Sequence, residues 1–132
     1  MKNFFLGGLV ILLLATSVAC NKDQRAVRRL SGEWKVVSAA GFAISENSDD
    51  FHTLKFSNCR LRSEEFCDVT ISDNEGSETI RYKVTDDGST LVYKDNDNEK
   101  QSLEIVTLER SKLQLRMQIP LIGGVLFEYE KK

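Results

Sequence analysis

Along most of the chain, starting at Ser31, hydrophobic and polar residues alternate with a period of two. In the clearest case, Ile80, Tyr82 and Val84 are separated by polar side chains. This period is typical of β-strands that bury one face. It slips at Val106 and Leu108, which predicts a β-bulge. The pattern predicts eight strands, at 33–38, 53–58, 66–72, 78–85, 90–94, 101–108, 112–119 and 125–129.

Most connections between the predicted strands are short and rich in Asp, Asn and Gly, as at 73–76, 86–88 and 95–98. Such segments form tight turns, and strands joined by tight turns pair antiparallel with their neighbours along the chain. No stretch with a helical period is long enough to connect parallel strands. Because closure of the sheet leaves no exposed edge, the sequence predicts an all-β fold, a single antiparallel up-and-down barrel of eight strands.

The first twenty residues have the layout of a bacterial lipoprotein signal peptide. Lys2 precedes an apolar run over 4–15, and small residues lead into Cys20. This run is short for a membrane span, which needs about 20 apolar residues. The end of the segment resembles a lipobox, in which the cysteine is acylated, with one departure: Ser17 stands where an aliphatic residue is usual. Cleavage by an ordinary signal peptidase is the alternative.

The lipoprotein interpretation implies that acyl chains such as palmitate on Cys20 anchor the protein in the membrane of the cell envelope. Asn21 follows the cysteine in place of the Asp that retains some lipoproteins at the inner membrane, so the outer membrane is favoured. The arginines after Cys20 either face anionic headgroups or belong to a solvated linker. The predicted division is a cleaved signal peptide at 1–19, a lipidated tether at 20–30 and the barrel domain at 31–132.

The cysteines support export from the cytosol. The chain has three, an odd number for a secreted protein, but acylation of Cys20 leaves only Cys59 and Cys67. Outside the cytosol, two such residues are expected to form a disulfide. A reactive thiol pair is the alternative, although the spacing is not that of a C-x-x-C redox motif.

The first predicted strand carries a Gly-x-Trp motif, Gly32 and Trp34, and the second contains Thr-Leu-x-Phe at 53–56. With the aromatic last strand, this pattern resembles the lipocalin-like domains, and in particular the small lipocalin-like lipoproteins of Bacteroidota. The resemblance covers residues 30–132 and implies a barrel that binds a small apolar ligand. It also implies that Trp34 is a structural plug at the closed end of the barrel, covered by basic residues for which the candidates are Arg28, Arg29 and Lys131.

Two predicted loops are apolar where solvent-exposed turns are normally polar. Phe42 and Ile44 lie in the first long connection, and Leu121 and Ile122 lie in the last. Alternating strand directions place both loops at the end of the barrel opposite the tether. We therefore expect a rim that contacts a ligand or a partner protein. In the alternative, Phe42 and Ile44 fold inward and cap a barrel already filled by its large inward side chains.

Composition argues against several other functions. With 18 basic and 20 acidic residues and no basic stripe, the chain is not expected to bind nucleic acid. A lone His52 beside Asp50 is a weak candidate for catalysis, and the acidic turn at 95–99 lacks the Gly and Glu of a calcium loop. We expect no catalytic residues, no metal and no cofactor. Two hypotheses remain: a carrier of a small apolar ligand, or a protein-interaction module, such as an accessory subunit or inhibitor, with a filled barrel.

Overall fold

The computed structural model describes residues 21–60 and 66–132, so the predicted signal peptide and Cys20 lie outside the described residues. One helix, α1, precedes nine strands, and no helix among the described residues is long and apolar enough to span a membrane. The elements are α1 (Asn21–Leu30), β1 (Gly32–Ala39), β2 (Phe42–Ala43), β3 (His52–Phe56), β4 (Cys67–Asp73), β5 (Ser77–Thr85), β6 (Thr90–Lys94), β7 (Lys100–Leu108), β8 (Lys112–Ile119) and β9 (Gly123–Lys131).

The strands form a closed antiparallel barrel, as the alternation predicted. From β3 to β9 each strand pairs with the next, β1 pairs with β3, and the pairing of β1 with β9 closes the sheet. Eight strands make up the barrel, because β2 is a two-residue strand that pairs only with the end of β1. The expected bulge lies between Ile105 and Thr107, and a second one, not predicted, lies in β1 between Val36 and Ser38.

Strand directions define two ends of the barrel. We call the end where β1 begins the lower end and the end where β1 finishes the upper end. The lower end carries the connections 57–66, 86–89 and 109–111, and the upper end carries 40–51, 74–76, 95–99 and 120–122. The predicted disulfide between Cys59 and Cys67 is present, with Cα atoms 6.0 Å apart, and it closes the first of the lower connections.

The region expected to be a tether differs from that expectation, because residues Asn21–Leu30 form helix α1. Its apolar side chains, Ala26, Val27 and Leu30, are buried in the barrel core. Polar contacts fix the helix to the lower connections: the Gln24 side chain donates to the Cys59 carbonyl (2.9 Å), and Asp23 accepts from the Gly88 amide (2.8 Å). The helix therefore closes the lower end of the barrel.

Trp34 lies directly above this helix and is fully buried. Its indole N–H donates to the Leu30 carbonyl at 2.8 Å, an acceptor that the end of the helix would otherwise leave unpaired. Of the three basic residues expected to cover the ring, Lys131 does so, with its ammonium 4.5 Å from the ring centroid. That ammonium also donates to the Ser31 carbonyl. The lower end is thus a packed plug.

Candidate ligand-binding cavity

The upper half of the barrel contains a cavity of about 230 Å³. Its wall consists of inward side chains from seven of the eight barrel strands, β3 to β9. Three of the lining residues carry a polar group: His52, Tyr93 and Tyr129. The other ten are apolar: Leu54, Phe56, Val69, Ile71, Ile80, Leu91, Leu103, Leu115, Met117 and Phe127.

Packing differs between the two halves of the barrel, and this difference creates the cavity. In the lower half, Trp34, Tyr82 and Leu113 are fully buried, and the rings of Phe56 and Tyr82 pack edge to face with centroids 5.0 Å apart. Some of the large inward aromatic side chains that were expected to fill the barrel therefore pack in this lower layer. Above this layer, the inward side chains that the structure describes, including those of Tyr93 and Phe127, surround a cavity and do not fill it.

The cavity opens at the upper end. Ile80, Leu103 and Met117 point inward by strand alternation, yet each retains partial solvent exposure. An inward side chain in a filled, closed barrel would be buried, as Tyr82 and Leu113 are in the layer below. The remaining exposure therefore reflects access of solvent through the mouth of the barrel.

The wall is also incomplete between β7 and β8. These strands pair from Leu108 up to Glu104, which lies opposite Arg116, and the described strands show no further pairs between them above that point. A salt bridge between Arg116 and Glu104 (2.9 Å) marks the place where the strands separate. Leu103 and Met117 flank the gap, and both line the cavity. The upper parts of β7 and β8 therefore flank the cavity without pairing with each other in the described register.

The polar groups of the cavity are few and mostly paired. The imidazole of His52 lies 3.0 Å from the Asp50 carbonyl oxygen through Nδ1, and 2.8 Å from the Tyr129 hydroxyl through Nε2. Burial raises the pKa of Tyr129 well above its ordinary value. The pKa of Tyr93 is also raised, first by burial and then by the nearby charge of Asp95. Both phenols are therefore neutral hydroxyls at physiological pH.

The four residues predicted to form a rim lie at the upper end, but none of them belongs to the cavity wall. Phe42, Leu121 and Ile122 are 78%, 108% and 75% exposed, so Phe42 does not cap the barrel. Ile44 is half-buried and packs against the core, as the alternative expectation held for that residue. The cavity is lined by the inner faces of the strands, whereas Phe42, Leu121 and Ile122 form exposed apolar surface on the upper loops.

The two weaker sequence candidates, His52 and the acidic turn at 95–99, both make local hydrogen bonds to the backbone. His52 contacts the backbone carbonyl of Asp50 and not a carboxylate. In the acidic turn, the Asp95 carboxylate accepts from the amides of Asp97 (3.0 Å) and Glu99 (2.9 Å), so it stabilises the turn. Among residues 21–60 and 66–132, no three His, Cys, Asp or Glu side chains are grouped in a way that could hold a metal ion.

Comparison with known families gives one match. A family model described as a lipocalin-like domain matches residues 30–115, which include Gly32 and Trp34 and run through most of the barrel. No curated protein matches the chain. The matched segment begins at the last residue of α1, so the helix that closes the lower end precedes it almost entirely.

Proposed function

Because the chain belongs to the lipocalin-like domain family, we propose that it is a carrier that holds a small apolar molecule in the upper half of its barrel. The observation that supports this proposal is the open cavity in which ten of the thirteen lining side chains are apolar. Water finds few hydrogen-bond partners in such a cavity. An apolar ligand that enters it is removed from solvent, which is favourable.

The size of the cavity limits the ligand. Ligand pockets usually have volumes of about 300–1,000 Å³, and this one has about 230 Å³. A small or slender molecule, such as a medium-length acyl or prenyl chain, fits this volume better than a sterol does. Part of a longer chain would project through the mouth or through the gap between β7 and β8.

Binding can be tested with a displaceable apolar dye such as 1-aminoanthracene and a variant that fills the cavity. Leu103→Trp places a large side chain on the inner face of β7, so we expect dye affinity to fall at least tenfold. Ser102→Trp, on the outer face one residue earlier, is the matched control and should bind normally. Equal dye binding by both variants would refute the cavity as the site. If Leu103→Trp alone weakens dye binding, native mass spectrometry of the protein purified from its host would identify the natural ligand.

Membrane anchoring through an acylated Cys20 is the second part of this proposal. The lipid would be attached one residue before α1, at the closed lower end, so the mouth would face away from the bilayer. Lys22, Arg25, Arg28 and Arg29 are all exposed on α1 and would lie close to anionic headgroups. Metabolic labelling of the full-length chain with palmitate tests the attachment, because label should be lost in Cys20→Ser.

An interaction module is the alternative function, and the exposed apolar residues of the upper loops favour it. Phe42, Leu121 and Ile122 are mostly or fully exposed, which is unusual for side chains of this type. Leu121→Asp should abolish capture of an envelope partner from the host and leave the thermal midpoint unchanged, because Leu121 has no buried surface to lose. Normal dye binding by the same variant would separate this function from the carrier function.

A further inference from the structure

His52 and Tyr129 form the one polar pair among the described residues that line the cavity. They sit on β3 and β9, on either side of β1. Tyr129 pairs directly with Val36, and His52 lies one residue beyond the Thr53–Lys35 pair. Their rings meet edge to face with centroids 5.5 Å apart. A ligand in the cavity therefore faces this pair on one wall and apolar side chains over most of the rest.

The partners of the imidazole determine the direction of each hydrogen bond. Nδ1 lies 3.0 Å from the carbonyl oxygen of Asp50, and a carbonyl can only accept, so Nδ1 carries the hydrogen. In a neutral imidazole, Nε2 is then an acceptor. The Tyr129 hydroxyl, 2.8 Å away, consequently donates to Nε2. What remains is a lone pair on the phenolic oxygen, so the pair can accept a hydrogen bond from a ligand but cannot donate one.

From this arrangement we infer that the cavity selects amphiphiles whose polar end donates a hydrogen bond, such as a primary alcohol, over ketones and carboxylates of the same length. This inference rests on the proposed carrier function and specifies its ligand class. A ketone would place its oxygen against another acceptor. A carboxylate would in addition bring a charge into a wall that contains no Lys or Arg side chain.

The hydroxyl of Tyr93 is the other polar group among the described lining residues of the cavity. Because it could also contact the polar end of a ligand, its contribution to selectivity needs its own control variant. It lies on β6, the strand opposite β1 in the barrel order, and as a free phenol it either donates or accepts. It therefore offers no preference between an alcohol and a ketone. Tyr93→Phe removes this group without affecting the pair on the far wall, and selectivity should be retained.

The test compares 1-octanol, 2-octanone and octanoate as competitors for the bound dye at pH 8.5. Each ligand has eight carbons, and the ratio of alcohol to ketone affinity is compared between the native protein and the variants, so that the difference in apolar content between the ligands cancels. A single hydrogen bond typically changes affinity by roughly 3- to 10-fold. We expect 1-octanol to bind more tightly than 2-octanone by this factor, with octanoate weakest.

Two variants distinguish a role of the His52–Tyr129 pair in ligand selection from a purely structural role. In His52→Leu the Tyr129 hydroxyl loses its acceptor and becomes free to donate, so affinity for 2-octanone should rise and the preference for the alcohol should disappear. In Tyr129→Phe the His52 Nε2 becomes the free acceptor, so the preference should persist. Thermal unfolding and dye affinity confirm that each variant is folded with an intact cavity.

Several results would overturn the inference. Equal affinity of the native protein for 1-octanol and 2-octanone would do so, as would an alcohol preference that survives in His52→Leu. In both cases the dye would still bind, and the carrier function would stand without this selectivity. If neither the dye nor any eight-carbon compound bound, the carrier function itself would fail, and the inference with it.

Discussion

Shortening Leu30 to alanine should destabilise the domain by about 3–5 kcal/mol, the usual cost of emptying a fully buried leucine site that cannot collapse. Leu30 is the last residue of α1 and has no exposed surface. It packs under Trp34, whose indole donates to the Leu30 backbone carbonyl, and the alanine variant keeps that acceptor. The loss should therefore report packing of the helix against the barrel and not a broken hydrogen bond.

The expected effect is large enough for a simple thermal melt. For a domain of about 110 residues, 1 kcal/mol lowers the midpoint by roughly 4 °C, so Leu30→Ala should lower it by roughly 10–20 °C. Arg28→Ala is the matched control, because Arg28 is exposed on the same helix and alanine is at least as good a helix former. Its free energy of unfolding should change by no more than about 0.5 kcal/mol.

Similar midpoints for the two variants would refute this account of α1. They would mean that residues 21–30 behave as the solvated tether expected from the sequence, and that the lower end of the barrel is stable without them. A folded fragment beginning at Ser31, with an unchanged midpoint, would point to the same conclusion.

Three further perturbations test the rest of the fold. Replacing Cys59 by serine should cost about 2.5 kcal/mol by the loop-entropy relation, seen as a urea midpoint below that of the oxidised native protein and equal to that of the reduced native protein; a midpoint equal to that of the oxidised protein would contradict this. Gly32→Ala should cost about 1–3 kcal/mol, because φ is +113° and the new Cβ would lie 2.9 Å from the Lys131 side chain; an unchanged midpoint would contradict this. Burial raises the pKa of Tyr82 and of Tyr129 and favours their neutral forms, so stability is complete below about pH 10 and is lost as pH rises further. In the Tyr93→Phe variant, where Tyr82 and Tyr129 are the two remaining tyrosines, phenolate absorbance should accordingly appear together with unfolding, and not before it.

The barrel was predictable because its signals are local. Alternation in the segment that became β5 and the turn residues at 86–88 each specify a strand or a reversal without reference to distant parts of the chain. Short reversals then leave antiparallel pairing as the simple solution, and closure follows from the need to pair β1 with β9. The differences are at strand ends, as where β3 finishes at Phe56 and not at residue 58, together with the unpredicted bulge in β1 and the unpredicted two-residue strand β2.

The sequence allowed a helical turn over residues 23–30 but not a helix packed against the barrel, for a physical reason. Three buried apolar residues, Ala26, Val27 and Leu30, stand among seven polar ones, and the exposed face is strongly basic. Such a segment is a weak helix in isolation and is stabilised by the surface on which it packs. That surface, the lower opening of the barrel, does not exist until all the strands have assembled. The sequence showed the basic residues and suggested a linker.

The cavity could not be predicted from the sequence, for a related reason. Period-two alternation identifies which side chains point inward but not how far they reach across the barrel, because that depends on strand tilt and stagger. Phe56, Tyr82 and Trp34 were correctly placed inside, yet they concentrate in the lower layer. The sequence analysis therefore placed the candidate site on the exposed apolar loops that contain Phe42 and Leu121. The contact between His52 and Tyr129 could not be predicted either, because it depends on the register of their strands across β1.

Packing thus assigns the two ends of the barrel different tasks. The lower end has the fully buried plug, the helix and the disulfide, so it contributes most of the stabilising burial. At the upper end, Leu103 and Met117 are partly exposed around the cavity. This end therefore buries less apolar surface than a filled barrel would. If the ends are independent, Leu30→Ala should lower the melting temperature without weakening dye binding at temperatures where it stays folded, and Leu103→Trp should do the reverse. Coupled losses in both variants would show instead that the cavity depends on the plug beneath it.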